Sequence, residues 1–194
     1  MIAHDSLSQI LTILAVMIVI YLSTFEATVL ILFPAVLLMS GLILQFYLRR
    51  KIEVVDSIVQ NAPNIGFYTA VSLAGLAAVS VFAPIFSKPY WVKMELTGMD
   101  ALLYAVLIAI SEEQFFRGAI LSFQLEVMHP PLAMIGNAAI FTVYHFAVYG
   151  QKLHALAYVF GGGLILAWVT YKSGRLSPAM IAHSINNVIA YMVR

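Results

Sequence analysis

Runs of about twenty apolar residues follow one another along this chain, separated only by short polar links. A helix needs roughly 20 apolar residues to cross the hydrocarbon core of a bilayer. Stretches approaching that length occupy residues 7–25, 28–48, 64–86, 99–121, 131–149, 153–171 and 177–193. The expected fold class is therefore all-α: a polytopic membrane helix bundle with about seven transmembrane helices, eight at most. Composition agrees. Of the 194 residues, 62% are hydrophobic and 10% charged, and the mean hydropathy is +0.95. Soluble domains are about half apolar and a quarter charged, so the lipid bilayer is the expected solvent.

Other classes drop out quickly. The net charge is +1 and no basic patch is long enough to grip a phosphate backbone, so nucleic acid is not an expected partner. The absence of cysteine excludes disulfides, thiolate nucleophiles and cysteine-ligated metals. The opening MIAHDSLSQILTILAVMIVIYL lacks a basic n-region and has too long an apolar core for a secretory signal, so it is expected to stay as the first span. The first two stretches meet at a short link around Glu26 and form a hairpin. Residues 49–63, RRKIEVVDSIVQNAP, carry the basic cluster that favours the cytoplasmic side, and this places the N-terminus inside as well. Residues 87–95, SKPYWVKME, read as an interfacial aromatic anchor. No internal repeat is present. Residues 1–194 read as a single membrane domain, with a motif-bearing core from about 99 to 194.

The informative residues are the polar ones inside the spans, because ionisable groups there are costly and tend to mark function. Glu112, Glu113 and Arg117 lie in ISEEQFFRG, His145 ends FTVYH, and His183 and Asn187 frame HSINN. Glu113 and Arg117 are spaced to share a helical face and pair, as are His183 and Asn187, and Phe141 repeats the spacing with His145. Glu112 precedes the turn at His129 by about as many residues as His145 follows it. At about 1.5 Å rise per residue, both sit roughly 24–26 Å from that turn, level with each other on adjacent helices. His183 fits this level less well, because it follows Ser177 by only six residues. Either the last helix starts deep, with GRLSP dipping into the protein, or the helix bearing His145 is strongly tilted.

A carboxylate and a neutral imidazole that converge on one water make a general base. Glu112 with His145 fits that description. A second imidazole and an amide can stabilise an oxyanion, and His183 with Asn187 fits that one. Ser111 and Ser184 lack a base partnered by spacing. Two histidines and a glutamate are also a known zinc set, although no H-E-x-x-H helix is present; zinc-dependent and metal-free hydrolysis both remain open at this level. A non-catalytic membrane immunity or assembly factor on the same scaffold is the rival reading. A proton-relay transporter would carry paired broken helices in two repeated halves, and these are not visible. The three glycines at 161–163 are expected to let neighbouring helices approach closely.

EEQFFR, FTVYH and HSINN match, in order, the patterns EExxxR, FxxxH and HxxxN. In these motifs the chain resembles the CPBP family, which includes CAAX prenyl proteases, bacteriocin-processing enzymes and Abi membrane proteins. The resemblance covers Glu112 to Asn187 and not the N-terminal spans. It implies a helical intramembrane endopeptidase acting on a membrane or membrane-associated protein or peptide. Glu112 and His145 would activate water, and His183 and Asn187 would form the oxyanion hole. Glu113 and Arg117 would hold the site as an ion pair, with Phe141 in support. The implied mechanism is metal-free, with no cofactor, although the family is often labelled metalloprotease. The eukaryotic prenyl proteases are longer by a span, so a prokaryotic cell membrane is the expected location.

Overall fold

The computed structural model describes residues 33–47, 62–82 and 98–192, and the elements among them are all helical. α1 spans Phe33–Tyr47 and α2 spans Ala62–Phe82. α3, Gly98–Glu112, continues without interruption into a π-helical segment, Glu113–Leu121, and then into α4, Ser122–Val127. α5, Pro130–Tyr144, breaks at His145 before the single turn α6, Phe146–Tyr149. α7 is Leu153–Ser173 and α8 is Ser177–Met192. Counted as continuous rods, these are six helices. Three of them, over Asn64–Val81, Pro130–Tyr149 and Leu153–Ser173, are long and apolar enough to cross a membrane. The expected first span at 7–25, most of the basic connection and the interfacial segment 87–95 lie outside the described residues.

Helix ends follow local chemistry. The fourth apolar stretch was expected to stop near residue 121, but helix continues to Val127 because no breaker intervenes until proline. His129, the residue before Pro130, is extended (φ −61, ψ 143), as the clash with a following proline ring requires. α7 ends at Gly174, whose φ of +66 is the left-handed closure that glycine tolerates; its N–H bonds the Thr170 carbonyl at 2.9 Å.

The rods are packed inside out relative to a soluble bundle. On α3, Ala101, Ala105 and Ala109 point inward, while Met99, Leu103 and Leu107 are exposed. On α8, Ile181, Ile185 and Ile189 repeat the outward stripe at every fourth residue. Small residues inside let helices approach, and large apolar residues outside suit hydrocarbon. Gly41 of α1 shows how close that approach is: a Cβ there would lie 3.0 Å from the Phe115 Cα. Two of the three glycines at 161–163 face α2, where a Cβ would meet Val79 at 2.9 Å and Leu76 at 3.1 Å. The close-packing expectation for this triplet therefore holds.

The polar residues occupy the middle. Every residue from 111 to 121 is buried, so this stretch is surrounded on all sides. Phe115, Phe116 and Ile120 join Phe33, Leu37 and Leu44 of α1 and Phe141 and Tyr144 of α5 in one apolar cluster. The first turn of α8 is also enclosed, with Ser177, Pro178 and Ala179 all buried. Of the GRLSP stretch, Ser177 and Pro178 are buried, Arg175 and Leu176 are partly buried and Gly174 is exposed.

Candidate active site

Glu112 is the last residue of α3 and Glu113 the first of the π segment. Neighbouring side chains on an α-helix point to different faces. Here both carboxylates reach one imidazole: His183 Nδ1 lies 2.7 Å from Glu113 Oε1, and its Nε2 lies 3.6 Å from Glu112 Oε2. The change from α to π geometry falls between the two glutamates. A π turn, bonded i to i+5, is wider than an α turn, so successive side chains are rotated less relative to one another. The tandem pair converges at this junction.

His145 approaches from α5, with Nε2 4.0 Å from Glu112 Oε1. The equal-depth argument from sequence therefore holds for Glu112 and His145. His145 sits at the break after α5, where its Nδ1 lies 2.8 Å from the Phe141 carbonyl. A carbonyl only accepts, so Nδ1 carries the proton. In the neutral ring Nε2 is then the acceptor, and it faces Glu112. The ring is held between aromatic neighbours: Phe141 at 4.4 Å, Tyr144 at 4.9 Å and a stacked Tyr149 at 5.9 Å.

Glu113 and Arg117 form the expected pair, at 3.1 Å, on the π segment rather than on an α-helix. Glu113 is 0% and Arg117 1% exposed. Charges this deep persist only when paired and hydrogen-bonded. Arg117 Nη2 donates to the Gly163 carbonyl at 3.1 Å, and its guanidinium lies over the Phe141 ring at 4.2 Å. Phe141 thus touches Arg117 and His145, and its ring lies 6.1 Å from that of His183. Asn187, one turn beyond His183, donates to the Ala105 carbonyl at 3.3 Å. Its amide has two N–H donors, and Ala105 takes one.

Several participants escaped sequence reasoning. The Tyr144 hydroxyl hydrogen-bonds Glu112. Asn137, fully buried on α5, donates to the Phe116 carbonyl at 2.8 Å. Gln114 of the π segment hydrogen-bonds Gln45 of α1, and Tyr158 donates to Asn186 at 2.8 Å. One signal was available: Asn137, Phe141 and His145 recur at every fourth residue, and an amide inside an apolar span is unusual. Among the described residues, no three His, Asp or Glu side chains are arranged to hold a metal ion.

Side chains from three rods thus surround one carboxylate: two imidazoles meet Glu112, and a buried ion pair backs one of them. Residues 95–189 match the family model for Rce1-like type II CAAX prenyl endopeptidases. The match includes all seven of the residues singled out from sequence. No curated protein and no solved structure matches the chain. The family and the apolar helices together mark an integral membrane protein. Over residues 95–189 the chain is thus similar to the Rce1-like type II CAAX prenyl endopeptidase family.

Proposed function

We propose that the protein is an intramembrane endopeptidase that hydrolyses a peptide bond of a membrane or membrane-associated substrate with water activated by Glu112 and His145. One observation carries the reading. The two oxygens of the Glu112 carboxylate face His145 Nε2 at 4.0 Å and His183 Nε2 at 3.6 Å, from separate helices. A water seated between Glu112 and His145 would donate one hydrogen to each. Glu112 takes the proton as the hydroxide oxygen bonds to the scissile carbonyl carbon. The C–N bond then breaks, and the same proton passes to the leaving amine.

The oxyanion that forms between these steps falls to His183 and Asn187. The second N–H of Asn187 supplies one donor. His183 already engages Glu113 through Nδ1, so its Nε2 donates only when both ring nitrogens carry protons. Glu113 and Arg117 fix that ring in place. Every acid, base and donor in this scheme comes from the chain itself, so the scheme invokes no cofactor.

The test is replacement of Glu112 by Gln and of His145 by Ala in protein that still inserts and folds. Membrane proteomes from cells carrying wild-type or Glu112→Gln protein are compared for new N-termini. Both variants should lose cleavage, and specific termini should vanish. Wild-type turnover by either purified variant would refute the water-activating pair. An unchanged set of termini would favour the non-catalytic immunity or assembly reading.

A further inference from the structure

We propose that Asn137 is a positioning residue of this site: by holding the Phe116 carbonyl, it keeps residues 113–121 in π geometry, and that geometry turns both glutamates onto His183. The inference rests on the hydrolytic reading above for its catalytic consequence, but its structural half stands alone.

A π helix uses the same backbone donors and acceptors as an α-helix with poorer packing, so it is rare and short, and it recurs at functional sites. Something outside the rod must hold it. Gln114 and Arg117 bond to other helices through their side chains, which can follow a change of helical register by rotating. Asn137 differs, because it reaches across from α5 and grips the backbone of the segment, at 2.8 Å from its middle. Ser122 Oγ also approaches a carbonyl of the segment, that of Arg117, but at 3.5 Å and from the same rod. A carbonyl points toward residue i+5 in one geometry and i+4 in the other, so a donor fixed on a neighbouring helix discriminates between them.

Asn137 is also a poor choice for packing alone. It is 0% exposed, and its Oδ1 has no hydrogen-bond partner among the described residues. A buried acceptor left unmet is destabilising, whereas an apolar side chain of the same shape would be nearly neutral. The position therefore keeps an amide at some expense of stability. The N–H it supplies is the part with a use.

The variant that separates the two roles is Asn137→Leu, which keeps the branched four-heavy-atom shape, though it is bulkier, and removes both polar atoms. The full chain is labelled with 15N-histidine, in nanodiscs. The His183 Nδ1 proton, bonded to Glu113, is assigned by its loss in His183→Gln. Turnover is followed with a fluorogenic peptide bearing a farnesylated CAAX terminus. Asn137→Leu should fold, lose or shift the His183 signal, and show kcat lower by about ten- to a hundredfold with KM little changed. Asn137→Ser is small and keeps an O–H donor, so it should retain more signal and turnover than Asn137→Ala. A folded Asn137→Leu protein with the wild-type His183 signal and turnover overturns the proposal. So does equal, wild-type behaviour of the Ser and Ala variants. If wild-type and Glu112→Gln proteins cleave the peptide at the same measurable rate, the hydrolytic reading falls; in that case, and if neither cleaves it, the His183 signal still decides the role of Asn137.

Discussion

Arg117→Met tests the buried charge network. Arg117 is 1% exposed, pairs with Glu113 at 3.1 Å, donates to the Gly163 carbonyl at 3.1 Å and lies over Phe141 at 4.2 Å. Methionine fills most of the volume and can still pack on the ring, so the main loss is electrostatic. Removing one partner of a buried pair leaves the other charge uncompensated and costs about 3–5 kcal/mol. The lost cation–π contact adds up to about 2 kcal/mol when desolvated, partly offset by roughly 1 kcal/mol of sulfur–aromatic contact. The single variant should therefore be destabilised by about 2–6 kcal/mol. Glu113→Gln removes the carboxylate charge while keeping an oxygen near His183 Nδ1. Glu113→Gln with Arg117→Met leaves no buried charge in the pair, and should be less destabilised than the two singles summed, by about 2 kcal/mol. The assay is unfolding of purified protein in mixed micelles, followed by circular dichroism as the denaturing detergent fraction rises. A coupling below about 0.5 kcal/mol would show that the two charges do not depend on each other, and would remove the ion pair from the account.

Other expectations can be checked alongside. Gly41→Ala places a Cβ 3.0 Å from the Phe115 backbone, which cannot swing aside, so it should destabilise by about 1–3 kcal/mol. Gly66→Ala meets nothing within 4 Å, and should be neutral or stabilising by up to about 1 kcal/mol in the same unfolding assay. Replacing His183 or Asn187 by Ala should lower kcat more than it raises KM on the farnesylated peptide, and a change in KM alone would contradict the oxyanion assignment. Chelation should leave turnover unchanged and elemental analysis should find no stoichiometric metal; zinc that copurifies and whose removal ends turnover would overturn the metal-free mechanism.

Much of this was legible in the sequence, for identifiable reasons. Hydrocarbon demands long apolar helices, so the runs of leucine, isoleucine and valine announced the all-helical class and placed the described rods within a few residues, except that the fourth runs on to Val127. The same demand makes an ionisable group in a span conspicuous, so Glu112, Glu113, Arg117, His145 and His183 stood out without knowledge of their partners. Equal distances from one turn placed Glu112 level with His145, because rise per residue is nearly constant.

Direction around the rod was another matter. Rotation depends on the turn type, and nothing local in EEQFFRG announces a π turn. Residues 111–121 are buried on every side, so their geometry is set by what surrounds them: the close backbone of Gly41, the Asn137 amide and the enclosed start of α8. The sequence by itself determined the solvent, the helices and which ionisable side chains lie inside them, because these follow from transfer free energies and from period. Only the tertiary structure decided that two adjacent carboxylates share one imidazole and that Glu113, rather than Glu112, holds it most closely. Those relations depend on contacts between residues far apart in the chain.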